Sequence, residues 1–409
     1  MHVLLLSLIG LAFVLIIIED LIHLNKAKST LFIGTLVWIL AFVFPEHSVA
    51  HIKEGLNENL LDIATLWLFL MAAMTFVAYL NQQGLITQLV YRLLPNKLTL
   101  RTLMILMALM GLVFSSLADN ITASLIMLSL LTSLKLDKKQ TLKFATLIVF
   151  AVNSGGVSLI TGDVTTLMIF LAGKVDITDL FLLIGPACAG VISLALLLMW
   201  GTNEEVTLPK FKRPIATVDK LIAVLFLLTI FSTLFMSVAF SVPPVLTFLF
   251  GLSVMFISHR LFHRSEKSPD ILESVREIEF DTLLFFLGVL LLVGMLKELS
   301  VLEFLLQLYD ILPTYLANFV VGILSALVDN VPLTAAILKS GISMSTAEWL
   351  GLTYAVGVGG SILIIGSAAG VIALSKLEEV SFITYLRFIH WLLLAYTLGY
   401  VSVMFIANL

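Results

Sequence analysis

Three aspartates carry the chemistry this sequence can do. Asp119 is the only charged residue between Arg101 and Lys135, Asp163 the only one between Lys143 and Lys174, and Asp329 the only one between Asp310 and Lys339. A charged side chain at the centre of a bilayer costs about 2.5 to 3.5 kcal/mol even on the mildest scales. Each acid is therefore expected to be protonated, paired with a base or holding a cation. The three runs supply no Lys or Arg, and no base is expected at their depth. Protons and hard metal cations remain as counter-charges, and hard cations take oxygen ligands. These runs and the glycine-rich stretch 351 to 375 offer Asn120, Asn153, Thr165, Thr166, Asn330, Ser361 and Ser367, together with any carbonyl freed where a helix breaks. A proton and a cation competing for one set of carboxylate oxygens is the minimum that an exchange carrier requires.

Simpler roles stand beside these. Asp and Asn are favoured helix N-caps, and Pro332, just after Asp329-Asn330, suits the first turn of a helix, so capping is expected of Asn330 and, by analogy, of Asn120. Thr165 and Thr166 can bond their own backbone. Asp281, which opens the stretch "DTLLFFLG", reads equally as a first-turn acid favoured by the helix dipole. Glu19, Asp62, Arg387 and His390 fall near helix ends, where interfacial solvation accounts for them.

The elements that must position these residues follow from composition. Of 409 residues, 60% are hydrophobic and 12% charged, against about a quarter charged in soluble domains. The chain reads as an all-α polytopic membrane protein. Full-length helices are expected near 2 to 18, 29 to 45, 60 to 80, 178 to 200, 218 to 240, 242 to 258, 280 to 296 and 382 to 405. The remaining apolar segments are different. One region, about 98 to 135, is too long for one crossing and too short for two, which predicts a re-entrant hairpin with "SSLADN" at its tip. The run 144 to 173 contains "VNSGGVSLITGDVTT", whose glycines predict a broken helix.

Each oddity has a counterpart. "YRLLP" (91 to 95) matches "YDILP" (309 to 313), "SSLADN" matches "SALVDN" (325 to 330), and "GGVSLITG" (155 to 162) matches "GGSILIIG" (359 to 366). The order is kept, so the chain is expected to be two repeats, 1 to 217 and 218 to 409, the second with a hairpin at about 313 to 340 and a break at 349 to 375. About ten transmembrane helices and two hairpins give each half an odd number of crossings, which inverts one half relative to the other. With the N-terminus outside, all but Lys53, Lys174, Lys297 and Lys339 of the 23 lysines and arginines fall inside, as the positive-inside tendency requires. Arg92, Lys97, the polybasic segment 135 to 143, Lys210, Lys212, Arg213, Arg260 and Arg264 are among those inside. Met1 onward is read as mature chain, and the single cysteine, Cys188, as a packing residue. Inverted repeats with broken helices are a secondary-transporter architecture, with the site near the midplane where the breaks meet.

At these motifs the chain resembles the NhaD-type sodium/proton antiporters of the ion-transporter superfamily. The likeness rests on "SSLADNITASLIM", "VNSGGVSLITGDVTTLM", "SALVDNVPLTAA" and "GVGGSILIIGSAAGV", and it runs from about Glu19 to the C-terminus. It implies exchange of Na+, and of Li+, for H+ across a bacterial inner membrane, with no cofactor, and a fold similar to that of the dicarboxylate/sodium transporters, usually as a homodimer in the lipid bilayer. Carried onto this chain, it assigns ion binding and proton coupling to Asp119, Asn120, Asn153, Asp163, Thr165, Thr166, Asp281, Thr282, Asp329, Asn330, Ser361 and Ser367, with Na+ at Asp119, Asp163 and Asp329. The dicarboxylate relatives carry Ser-Asn-Thr at the tips where this chain has Asp-Asn, and an acid at each tip would repel an organic anion. Sodium-coupled organic-anion transport is therefore the second reading.

Other classes fit less well. No GxxxxGK[ST], CxxC or HExxH motif supports nucleotide-driven pumping or zinc chemistry, and no nucleic-acid partner is expected. An intramembrane aspartyl protease needs Gly-x-Gly-Asp, but Ile160 stands where its first glycine would be. An ion channel has less use for inverted halves.

Overall fold

The computed structural model describes residues 1–17, 25–46, 48–95, 97–202, 204–207, 216–262, 272–327 and 329–407. Glu19, Lys210, Lys212, Arg213 and Arg264 lie outside the described residues. Among those described, eight helices are long and apolar enough to cross a membrane. The chain is a multi-pass, all-α membrane protein.

Most expected helices form with small changes at their ends. The second begins at Lys26 because Asn25 caps it, its side chain accepting the Ala27 N–H. The third starts at Val49 and runs to Gln82, since the polar stretch before residue 60 contains no proline and a single glycine, Gly55, which does not stop the helix. The last divides into Phe382–Leu386 and Ile389–Ala407. The two "Y-x-x-L-P" stretches close short helices, Leu85–Leu93 and Glu303–Ile311. One element was not expected: Lys97–Thr99 pairs antiparallel with Glu205–Thr207. Strands of three residues are too short to show an alternating pattern.

The chain forms two compact units. One comprises Met1–Leu60, Lys97–Thr207 and Leu284–Leu409; the other comprises Leu61–Asn96 and Leu208–Leu283. The second unit has an aromatic interior. Phe69 meets Phe248, Phe76 stacks on Phe226, and the Tyr79 hydroxyl donates to the buried Asp219 carboxylate over 2.7 Å.

The first unit holds the segments singled out in the sequence. "SSLADN" joins Leu100–Leu117 to Asn120–Ser133 through Ala118 and Asp119 alone. "SALVDN" joins Thr314–Leu324 to Asn330–Lys339. Both glycine-rich runs are broken: Lys138–Gly156 stops seven residues before Val164–Leu171, and Thr346–Gly359 is separated from Ala368–Lys376 by a single 3-10 turn, Ile364–Gly366. In lipid, helices associate through close packing of small residues rather than through hydrophobic exclusion. Gly155 lies against the backbone of Leu112 so closely that a Cβ would overlap the Leu112 carbonyl, and Gly359 lies against Gly322 in the same way. Since Gly155 and Gly359 hold equivalent places in the matched motifs, the same contact fixes each broken helix to its hairpin. Lys339, at the far end of the second hairpin, is anchored to the buried Asn59, whose own amide donates to the Leu290 carbonyl.

Candidate functional site

Asp163 stands at the first break because the chain cannot stay helical there. The helix ends at Gly156, and residues up to Asp163 form turns tied to the first hairpin, with the Thr161 hydroxyl donating to the Ser116 carbonyl over 2.7 Å. Gly162 packs with its Cα side against Gly156 and the Ser115 carbonyl, leaving room for no Cβ. Asp163 then caps the next helix, and its Oδ1 accepts the Thr165 N–H at 3.0 Å. A helix N-terminus favours a negative charge at this place.

The other oxygen of Asp163 is where the two hairpins come together. Asn120 Nδ2, from the first tip, and Asn330 Nδ2, from the second, each donate to Asp163 Oδ2 at 3.2 Å. Asp163 is only 6% exposed, so these fixed amide dipoles stand in for water around the carboxylate. Each Asn is itself held. Asn120 Oδ1 accepts the Ser115 hydroxyl at 2.5 Å, and the Asn120 side chain lies over Gly156, where a Cβ would meet it at 2.6 Å. Gly357 is close on another side, where a Cβ would stand 3.6 Å from Asp163 Oδ2.

The second break ends in the same extended capping residue with a different charge. Ser367 caps its outgoing helix as Asp163 caps the first, with its hydroxyl oxygen accepting the Gly370 N–H at 3.3 Å. That oxygen also accepts Asn153 Nδ2 at 3.0 Å, which joins the two breaks directly. Asn153 is fully buried and its Oδ1 has no hydrogen-bond partner; the Ser154 and Ser158 hydroxyls, close to it in sequence, are also buried and unpartnered. Unsatisfied buried oxygens are costly, and a desolvated cation is the chemistry that would use them. Thr166 reaches only the Gly156 carbonyl, at 3.5 Å, and Thr165 is fully buried. Ser361 donates to Val358, and its own carbonyl accepts the Tyr385 hydroxyl at 2.6 Å.

Two of the three acids are held outside this cluster. Asp119 turns back on its own helix, accepting both the Thr122 N–H (2.7 Å) and the Thr122 hydroxyl (2.8 Å). Asp329 accepts the Val331 N–H and, contrary to the expectation that no base lies at its depth, has Lys26 Nζ 3.4 Å from its Oδ2. The expectation failed because it compared backbone depths, whereas a lysine side chain carries its charge well away from its own helix end. Asp281 and Thr282 belong to the other compact unit. There Asp281 is exposed and the Thr282 hydroxyl donates to Glu279.

Sequence reasoning missed Lys26, Ser115, Thr122, Ser154, Ser158 and Gly357. A signal existed for Ser115, which is repeated as Ser325 in the matched motif. For Lys26 there was none.

Comparison with known proteins places these residues in context. Residues 13–359 match the family described as citrate transporter (CitMHS). The chain is 30% identical to the Na(+)/H(+) antiporter NhaD of Vibrio cholerae serotype O1, over 97% of this chain and 90% of the relative. It is 32% identical to the protein of the same name from Vibrio parahaemolyticus, over 85% and 92%. Sodium/proton antiporter 2 of Arabidopsis thaliana is 29% identical, over 93% of each chain.

Proposed function

The chain belongs to the citrate-transporter family, alongside the NhaD-type sodium/proton antiporters, and from this premise we propose that it exchanges Na+ for H+ across a membrane by alternating access. It is a transporter and not an enzyme. The observation that carries the proposal is the coordination of Asp163, a buried carboxylate reached by an amide from each hairpin tip at a helix break. A buried carboxylate of this kind suits a cation or a proton and repels a carboxylate substrate, so the sodium-coupled organic-anion reading has less support.

In the proposed cycle protonation of the set Asp119, Asp163 and Asp329 alternates with Na+ binding, with Asn120, Asn153, Thr165, Thr166, Asn330, Ser361 and Ser367 supplying oxygens. Li+ is the expected alternative cargo, and no cofactor enters the cycle. The halves 1 to 217 and 218 to 409 act as inverted repeats, each hairpin entering from its own face, so that the site opens to the two sides in turn. The protein sits in the bacterial inner membrane with its N-terminus outside, as a homodimer.

The test uses everted membrane vesicles with a respiration-driven pH gradient. Adding NaCl should collapse the gradient, and an Asp163→Asn variant expressed at the same level should not respond. A wild-type protein that responds to dicarboxylates and not to Na+ overturns the proposal.

A further inference from the structure

We propose that the Lys26 ammonium is the resident counter-cation of Asp329 and that cargo Na+ must displace it to use the second hairpin tip. Four observations support this, and the inference rests on the sodium/proton reading above. Lys26 Nζ lies 3.4 Å from Asp329 Oδ2, longer than the roughly 2.7 to 2.9 Å of a well-made charge-assisted hydrogen bond. The pair is only partly shielded, with side chains 25% and 17% exposed. Lys26 is also the first residue of its helix, where the macrodipole opposes a positive charge. Finally, the ammonium stands over the Phe285 ring, 4.8 Å from its centroid, where the π-face can hold a cation that has left its carboxylate. Loose geometry, an unfavourable dipole and a second resting place together describe an exchangeable partner rather than a fixed structural bridge.

The position of the pair connects it to the site. Asp329 is joined by one peptide bond to Asn330, whose amide donates to Asp163 Oδ2. Release of Lys26 therefore frees a carboxylate next to the residue that grips Asp163. The first tip is built differently, since Asp119 is satisfied within its own helix by Thr122. Hence the two tips, alike in sequence, hold charge differently: one carboxylate is held by uncharged donors of its own helix, and the other by a cation. No covalent step is involved, only replacement of one cation by another at Oδ2. Lys26 is a positioning residue and sets how strongly Na+ must compete.

The test compares wild type with Lys26→Ala, Lys26→Arg, Asp329→Asn and the Lys26→Ala/Asp329→Asn double variant, at alkaline pH where protons compete least. Two readouts are taken: Na+ half-saturation of exchange in everted vesicles, and the Na+-dependent rise in Tm of the purified full-length protein. Lys26→Ala should lower the Na+ concentration giving half effect by about three- to fivefold, the upper part of the range for a partly shielded ion pair. Lys26→Arg should stay within about twofold of wild type by the same scale. The Lys26→Ala effect should vanish in the Asp329→Asn background. An unchanged half-effect concentration in Lys26→Ala, or a shift that persists without Asp329, overturns the inference. If Lys26→Ala does not fold, Lys26→Gln takes its place in the same comparison. Wild type that binds Na+ in the Tm assay and exchanges no protons would defeat the antiport reading alone, because the Lys26 effect on binding would still be read.

Discussion

Asn120 and Asn330, at the tips of two different hairpins, donate to the same oxygen, Oδ2 of Asp163, at the same distance of 3.2 Å. A hydrogen bond to a charged group contributes about 1.5 to 3 kcal/mol. Loss of either amide should therefore matter, and the two losses should not be independent.

Asn120→Ala and Asn330→Ala should each slow exchange on the order of ten- to a hundredfold at fixed Na+. The double variant should depart from the product of the two, because both amides serve one acceptor. In an Asp163→Asn background, the Asn120→Ala change should add little. Vesicle assays normalised to the amount of protein check all three.

Packing supplies a second prediction. A Cβ on Gly359 would overlap the Gly322 carbonyl, whereas nothing lies within 4 Å of one on Gly10. Gly359→Ala should thus destabilise by about 1 to 3 kcal/mol, the range for overpacking, and Gly10→Ala should not. Thermal unfolding of the purified protein, followed by tryptophan fluorescence, distinguishes them.

How much of this could be read from the sequence depends on what each residue costs where it stands. Asp119, Asp163 and Asp329 were legible because a carboxylate in an apolar run demands explanation, and the matched motifs tied their segments together. Asn120 and Asn330 followed from the same motif. That both would reach Asp163 and not their neighbouring Asp was not legible, since it depends on how the hairpins pack on the break. Ser154 and Ser158 were hidden for the opposite reason: a serine in a membrane helix ordinarily bonds its own backbone, so its type announces nothing. Lys26 lies some 300 residues from Asp329 in sequence, and only the folded chain brings them together.

The unpartnered oxygen of Asn153 yields a third prediction. Asn153→Leu keeps much of the volume and removes both Oδ1 and the amide that reaches Ser367. Ser367→Ala removes only that amide's acceptor and the helix cap, a loss of about 1 kcal/mol in stability. If Oδ1 serves the cargo, Asn153→Leu should raise the Na+ half-saturation far more than Ser367→Ala does, while Ser367→Ala lowers the Tm. Equal shifts in half-saturation would assign Asn153 to joining the breaks and nothing more.

Asp119 allows charge to be separated from capping. Its Oδ1 accepts the Thr122 N–H at 2.7 Å and its Oδ2 the Thr122 hydroxyl at 2.8 Å; an uncharged Asn caps as well as Asp through Oδ1, and its Nδ2 would donate to the Thr122 hydroxyl oxygen in place of accepting from it. Asp119→Asn should accordingly keep the Tm of wild type, whereas Asp119→Ala should lose about 1 kcal/mol. Exchange is expected to sort the variants differently. If Asp119 takes part in proton coupling, both should fail to collapse the pH gradient on addition of NaCl, although only one is destabilised. Exchange at the wild-type rate by Asp119→Asn would make this acid a cap and, with Asp329 paired to Lys26, would leave Asp163 to carry the proton.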